Sequence, residues 1–268
     1  MTKTLLIVSG NSEAAEVARR VREMGHTVVV SDANPEAPAF AFADSCLIAD
    51  VHGAQETAAA AERHNRKIRK IDGVLCVADA APTAATVTDR LRLPGLPLHV
   101  AELVGDRLAI QRCFQSAGIK APWQAEVSTP QELQRILIAK GRDLVLKPVD
   151  NRGPDGVQRL SAVEDFAAAF VAARAHSAQE RVLVEQDLEG PNVRVALLVQ
   201  GGACQVAGAP DAAAREAAMR AASALGLQDT PVVCDIVMHQ GAAHVTGISA
   251  RLCGTDLLDP AVRLALGG

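Results

Sequence analysis

Short apolar runs alternate with amphipathic stretches over the first hundred residues. Residues 4–9 are rich in Leu, Ile and Val, and residues 26–31 and 74–77 repeat this pattern of a buried strand. Between the first two runs, apolar residues at helical spacing predict a helix that Ser12 caps and Gly25 ends. Strand–helix–strand alternation predicts a parallel sheet with helices on both faces.

The pattern changes after the proline-containing segment that ends at residue 97. Strands there follow one another beside helices, which is typical of an α+β unit. The sequence therefore predicts an α/β protein with a boundary near residue 97. The remaining predicted helices are 55–70, 100–116, 162–175 and 212–225, and the remaining strands are 144–147, 181–186, 193–199, 232–238 and 243–249.

Composition excludes several classes of protein. The 268 residues carry 27 Lys and Arg against 31 Asp and Glu, and only 2% are aromatic, so neither charge nor stacking favours nucleic acid. No apolar run approaches a membrane span, and the N-terminal run is too short for a signal peptide. Six scattered cysteines without a CxxC pair are typical of a reducing compartment. We therefore expect a cytoplasmic protein with neither nucleic-acid nor membrane partners.

Several common motifs are missing from the sequence. It contains no GxxxxGK[ST], no GxGxxG and no HExxH. Asp32 follows Gly10 at about the spacing of a ribose-binding acid, but without the glycines we interpret Asp32 as the start of a turn. His239 and His244 lie five positions apart, a poor spacing for two metal ligands.

The candidate chemistry comes from segments that fit one another in order. Arg107 lies near the start of a predicted helix, and Lys147 ends an apolar strand. A glycine-containing loop follows at 151–156, and Glu185 lies where the next strand ends in acidic residues. Cations and exposed backbone N–H groups suit phosphate, and a strand end suits adenine. These residues indicate a nucleotide site.

Taken together, these segments resemble the ATP-grasp superfamily, nearest its carbamoyl-phosphate-synthase-like and purine-carboxylase-like branch. The resemblance covers nearly the whole chain. It implies an N-terminal parallel-sheet domain at 1–97 and an ATP-grasp domain at 98–268. The second domain would comprise a nucleotide-binding lobe at about 120–190 and a C-terminal lobe at about 191–268.

The resemblance also assigns roles to single residues. Lys147 would hold the phosphates of ATP, and Arg107 stands where the family usually has a second Lys. The other implied positions are Gly153 and Gly156 over the phosphates, Glu185, Gln186 and Leu188 at the adenine, Asn192 at the ribose, Asp235 as a Mg²⁺ ligand, and Arg251 at the transferred phosphate or substrate.

The sequence departs from the family pattern in its catalytic half. The family's E-x-N-x-R motif, which carries the second metal acid, reads Gly247-Ile248-Ser249-Ala250-Arg251 here. Asp235 would therefore be almost alone as a carboxylate ligand, a weak site for a hard cation. The segment at 200–210 is also short where relatives carry further strands and a substrate loop.

Two functions follow from these patterns. The first is an ATP-dependent ligase that forms an acyl phosphate on a small-molecule carboxylate and passes the acyl group to an amine or related nucleophile. The second is a nucleotide-binding regulatory or scaffold protein with impaired catalysis; a third possibility is a fold that no longer binds nucleotide. A homodimer is possible.

Each motif residue also has a purely structural interpretation. Under that interpretation Lys147 is a surface residue at a strand end, residues 151–156 form a plain turn, Glu185 and Asp187 are solvated, Asp235 is an outward position of an alternating strand, and Arg251 pairs with Asp256.

Overall fold

The computed structural model describes residues 1–149, 156–177, 180–208 and 211–268. By packing, the chain divides into two compact units. Unit 1 comprises Met1–Gly105, Arg194–Asp235 and Gly247–Gly268, and unit 2 comprises Asp106–Val193 and Ile236–Thr246. The domain division at residue 97 stays a prediction.

A parallel sheet forms the centre of unit 1, as the alternating pattern predicts. Its strands are β1 (Thr4–Val8), β2 (Thr27–Asp32), β3 (Ser45–Ile48) and β4 (Gly73–Cys76), in the order β3-β2-β1-β4. All pairs are parallel. β3 was not predicted, because only one of its four residues is buried and its apolar signal is weak.

Helices follow the strands of this sheet. They are α1 (Ser12–Glu23), α2 (Ala54–Lys67), α3 (Ala81–Leu91) and α4 (Leu98–Gly105), and a 3₁₀ turn spans Pro38–Phe42. The predicted cap of α1 is wrong by one residue. Asn11, not Ser12, is the N-cap, and its side chain accepts a hydrogen bond from the Ala14 N–H.

Asp32 performs the turn role that the sequence predicts. Its Oδ1 accepts the N–H of Asn34 at 2.9 Å, and its Oδ2 accepts the N–H of Gly10 at 2.7 Å. The carboxylate thus ties the ends of β1 and β2 together.

The helix predicted over 100–116 is two helices. α4 ends at Gly105, and α5 (Arg107–Ser116) begins after Asp106. The carboxylate of Asp106 accepts the N–H groups of Leu108 and Ala109, which is the geometry of an N-cap. Asp106 has extended backbone angles, so it interrupts the helical path.

Unit 2 contains an antiparallel-paired sheet against two helices. The strands β5 (Gln124–Val127), β6 (Leu144–Pro148), β7 (Gln158–Arg159) and β8 (Val182–Gln186) lie in the order β5-β8-β6-β7. The helices are α6 (Pro130–Lys140) and α7 (Phe166–Ala175), with a 3₁₀ turn at Leu160–Ala162. Fully buried Leu133, Leu146 and Leu160 lie in the core of this unit.

The C-terminal third adds β9 (Asn192–Gln200), β10 (Ala203–Ala207), α8 (Ala212–Ala224), β11 (Thr230–His239), β12 (Ala242–Ser249) and α9 (Leu258–Ala265). Their strands form a sheet in the order β10-β9-β11-β12. The short segment at 200–210 therefore holds one strand, β10. No helix within the described ranges is long and apolar enough to cross a bilayer.

Gly73 is required where β4 meets α9. A Cβ built on Gly73 would lie 2.1 Å from the backbone oxygen of Ala265, a distance that no side chain tolerates. A Cβ on Gly247 would meet nothing nearer than 3.6 Å, which is ordinary contact. These two glycines provide a matched pair of substitutions.

We expect Gly73→Ala to lower the free energy of unfolding by about 2 kcal/mol or more, because a backbone must shift to admit the methyl group. Gly247→Ala should change it by about 0.5 kcal/mol or less. Chemical denaturation of the two variants measures the difference. Equal stability of the two would show that α9 does not pack on β4 as described.

Candidate functional site

A buried ion pair lies in the unit 2 sheet. Lys147 on β6 and Glu185 on β8 face each other across neighbouring strands, with Nζ and Oε1 2.7 Å apart. Val145 is the residue directly opposite Glu185, so Lys147 is its diagonal neighbour on the same face, within reach of a long side chain. Each of the two side chains is 10% exposed. The structure thus buries two groups that the sequence singled out.

Gln124 completes the environment of the carboxylate. It lies on β5 directly opposite Glu185, and its Nε2 donates to Oε2 of Glu185 at 2.7 Å. Both carboxylate oxygens are therefore engaged, one by Lys147 and one by Gln124. The Oε1 of Gln124 is buried and has no hydrogen-bond partner among the described residues.

Arg107 adds a second cation near this pair. It is the first residue of α5, positioned by the N-cap Asp106. Its Nε is buried without a hydrogen-bond partner, and it forms no ion pair, in the part of the chain that the structure describes. A buried N–H without a hydrogen-bond partner is costly, so an anion that accepts from it would be stabilising.

The pKa of Lys147 reflects its burial and the charges of Glu185 and Arg107. Burial lowers the pKa of Lys147, because desolvation disfavours the charged ammonium. The carboxylate of Glu185 opposes that change, whereas the charge of Arg107 lowers the pKa of Lys147 further. Two cations thus lie near one carboxylate, and this cluster, defined by Arg107, Lys147 and Glu185, is suited to an anion.

The predicted adenine segment follows β8. The N–H of Gln186 donates to the Trp123 oxygen, and the N–H of Asp187 donates to the Asp143 oxygen, both at 2.9 Å. Leu188 is half-buried, and its N–H makes no hydrogen bond to any described residue. Its peptide group is therefore available for a ligand.

Asn192, predicted at the ribose, is the first residue of β9 and is exposed. Just before it, Gly190 has a φ of +152° and lies against the Met238 backbone, where a Cβ would be 2.1 Å from the oxygen. The N–H of Met238 donates to the Pro191 oxygen at 2.9 Å, which fixes this stretch of unit 2.

Of the two predicted loop glycines, Gly153 lies outside the described residues. Gly156 is described and has a φ of +74°. A Cβ there would lie 2.8 Å from the Cβ of His176 and 2.9 Å from Pro148, so Gly156 is packed rather than free. Its role over phosphates stays a prediction.

Asp235, predicted as a Mg²⁺ ligand, lies in unit 1. Its Oδ1 accepts the Nε–H of Arg194 at 2.7 Å, and both side chains are about half-exposed. The hydrogen bond and charge of Asp235 raise the pKa of Arg194. Gly247 lies next to Asp235, as the 3.6 Å distance from a built Cβ to Oδ2 shows.

The residues present do not fit a protein-bound divalent cation. The described residues hold no group of three or more His, Cys, Asp or Glu side chains able to share a metal ion. His239 and His244 do come together in unit 2, with ring centroids 5.7 Å apart, but two imidazoles make an incomplete site. Mg²⁺ is usually held through one or two carboxylates together with waters and substrate phosphates, and here the carboxylate of Asp235 already pairs with Arg194.

Arg251 is held by acids of unit 1 itself. Its side chain is 16% exposed and lies 3.5 Å from both Glu13 and Asp79. Glu13 also accepts the N–H of Gly254 at 2.6 Å, which locks the loop after Arg251. The expected pairing of Arg251 with Asp256 is wrong, because Glu13 and Asp79 take that place.

Three of the contacts found here were missed by sequence reasoning. Gln124 went unnoticed because the four residues of β5 carry no apolar run. Arg194 was passed over inside a strand, and Glu13 was interpreted only as a favourable charge in the first turn of α1. Polar residues at alternate positions of β9 were a usable signal for Arg194.

Unit 1 also holds a cavity of about 230 Å³. Its walls are mainly apolar and include Cys76, Thr88, Asp229 and the C-terminal glycines. None of the predicted site residues lines it.

Replacing Glu185 tests the buried pair. We expect Glu185→Gln to destabilise the protein by about 3–5 kcal/mol, because Lys147 would stay buried without its carboxylate. The double variant K147M/E185Q should recover most of that loss. Urea denaturation of the wild type, both single variants and the double variant gives the coupling energy. The exposed Glu164→Gln serves as control, and strictly additive losses would contradict the pair.

Sequence comparison finds relatives of known name over parts of the chain. A D-alanine–D-alanine ligase of Stutzerimonas stutzeri is 32% identical over 104 residues, which cover 39% of this chain and 32% of that protein. A phosphoribosylamine–glycine ligase of Leifsonia xyli subsp. xyli is 28% identical over 205 residues, 74% of this chain and 46% of that protein. The chain spans about a third of the length of the D-alanine–D-alanine ligases it matches. No protein-family model matches it.

Solved structures match almost the whole chain. An L-amino acid ligase from Bacillus licheniformis superposes with a TM-score of 0.79 at 20% identity, covering 99% of this chain and 74% of that one. An N5-carboxyaminoimidazole synthetase from Staphylococcus aureus, complexed with ADP, superposes with a TM-score of 0.80 at 15% identity. The match covers 100% of this chain and 78% of that one. The predicted fold class is confirmed. The chain therefore has the fold of these solved structures, and over parts of its length it is similar in sequence to the two kinds of ligase named above.

Proposed function

We propose that the chain binds ATP and belongs to an ATP-dependent carboxylate–amine ligase. The observation that carries this proposal is the cluster of Arg107, Lys147 and Glu185, in which two cations lie near one buried carboxylate. A polyphosphate supplies the missing negative charge. The named ligases among the relatives support the reaction class, and an ADP-bound neighbour of the same fold supports the ligand.

The residues in and near this cluster would have different roles in binding ATP. Lys147 and Arg107 would contact phosphate oxygens, Lys147 as a point charge and Arg107 through its planar guanidinium. Glu185 would hold Lys147 in place rather than bind adenine, because both of its oxygens are already engaged. The N–H of Leu188, which has no hydrogen-bond partner among the described residues, would then be the adenine contact in this stretch.

The proposed reaction has two steps. A carboxylate oxygen of the substrate attacks the γ-phosphorus, the bond to the β,γ-bridging oxygen breaks, and ADP leaves. The amine then attacks the carbonyl carbon of the acyl phosphate, and inorganic phosphate leaves as the amide forms and the amine loses a proton. In this scheme Lys147 and Arg107 neutralise the charge of the triphosphate, which lowers its repulsion of an incoming carboxylate.

A nucleotide-binding protein without turnover is the second candidate. It is favoured by the environment of Asp235, where Arg194 forms an ion pair and no three-ligand group exists within the described residues. Phosphoryl transfer in most enzymes relies on metal ions that neutralise developing charge. The two candidates share ATP binding and differ only in whether ADP is released.

The location and partners belong to the same proposal. We propose a cytoplasmic protein acting on a small-molecule carboxylate, with a homodimer as the possible assembly.

Trp123 is the only tryptophan and adjoins the proposed site, because its oxygen accepts the N–H of Gln186. We expect ATP to change Trp123 fluorescence in a saturable manner. Lys147→Ala should weaken binding roughly 10-fold or more, the effect of losing one charge-assisted hydrogen bond. Arg107→Gln should weaken it similarly, whereas the exposed Lys67→Ala should not.

Release of ADP with a panel of amino acids and amines separates the two candidates. Turnover that Lys147→Ala abolishes supports the ligase. Saturable ATP binding without ADP release supports the second candidate. Absence of any ATP response in the folded wild type contradicts both.

A further inference from the structure

The carboxylate of Asp235 already has a cation beside it. Arg194 on β9 donates its Nε–H to Oδ1 of Asp235 on β11 at 2.7 Å. A side chain tethered in this way competes with any dissolved cation for the same oxygen.

The position next to Asp235 lacks the second acid that a divalent cation needs. Gly247 on β12 lies beside the carboxylate and contributes no side chain. The space there is open: a built Cβ would contact only Asp235, at 3.6 Å and 3.7 Å, and the backbone of Gly247 does not require glycine. A carboxylate could therefore be introduced at this point without a backbone clash.

Charge balance distinguishes a site for a divalent cation from a carboxylate that is paired with an arginine. Two carboxylates are neutralised by one divalent cation, whereas a single carboxylate is neutralised by one guanidinium. Asp235 with Arg194 is the second arrangement. Mg²⁺ would have to displace the guanidinium and would find one carboxylate in place of the several oxygen ligands it prefers.

We infer that the guanidinium of Arg194 takes the place of a divalent cation beside Asp235, so that this position holds an internal cation in place of Mg²⁺. A consequence, which rests on the proposed function, is that the nucleotide binds without a metal ion held by Asp235. The inference concerns a cation site in unit 1, and it can be tested without nucleotide.

The direct test uses Mn²⁺ alone as the probe, with electron paramagnetic resonance reporting free ion. The variant R194M/G247E removes the internal cation and restores a second carboxylate. We expect it to bind Mn²⁺ roughly 10-fold or more tightly than the wild type, about 1.4 kcal/mol. R194K/G247E, which keeps a cation, should gain much less. Arg19→Met, an exposed arginine of α1, is the matched control.

Equal Mn²⁺ binding by the wild type and R194M/G247E, whether strong or absent, overturns the inference. The melting temperature of each variant shows whether it is folded, and R194M/G247D provides a shorter acid if the first variant is not. Tight Mn²⁺ binding by the wild type alone also overturns it.

A second arm uses the wild type and Trp123 fluorescence. Because Mg²⁺ also binds ATP itself, R194M/G247E is measured beside the wild type: excess Mg²⁺ should raise its ATP affinity relative to EDTA by roughly 10-fold more than it does for the wild type, and an equal effect in the two proteins overturns the inference. If ATP produces no response in either buffer, the proposed function fails, and the Mn²⁺ comparison still decides the inference.

Discussion

Burial of an ammonium group is tolerated only when a carboxylate is buried with it, and this constraint shapes unit 2. Lys147 and Glu185 come from strands β6 and β8, and they meet because Val145 pairs with Glu185 in the sheet. A shift of that register by one residue would send the two side chains to opposite faces. The register of the sheet and the geometry of the proposed site are therefore set by the same contact.

The pair also explains where an anion can be attracted in a chain whose formal net charge is −4. In unit 1, the arginines of the candidate site are matched by acids: Arg194 by Asp235, and Arg251 by Glu13 and Asp79. In unit 2, Arg107 has no acidic partner among the described residues, and Lys147 pairs with the carboxylate of Glu185. The local excess of positive charge, rather than the overall charge, indicates the ligand.

Sequence patterns predicted the parts of this arrangement that depend on local structure. The parallel sheet follows from apolar runs, and Lys147 and Glu185 were identified because each follows an apolar run in its strand. Gln124 was missed, since its strand has one buried residue in four. The break at Asp106 was missed because the apolar spacing continues across it while its side chain caps α5. Partners such as Glu13 and Arg251, 238 positions apart, are set by tertiary packing that no local pattern contains.

Asp235 illustrates a deeper limit of reasoning from motifs. The sequence places an acid where the superfamily has a metal ligand, but the chemistry of a carboxylate depends on the charges around it. Here a glycine at 247, where the family pattern has an acid, and an arginine beside Asp235 act together. Because residue 247 is a glycine, the carboxylate of Asp235 has no second acid beside it at that position. The guanidinium of Arg194 neutralises the charge of this carboxylate. Either change alone would leave a charge imbalance: two acids sharing one guanidinium, or one acid unpaired. The glycine at 247 and the arginine beside Asp235 together therefore balance the charge at this position without a metal ion.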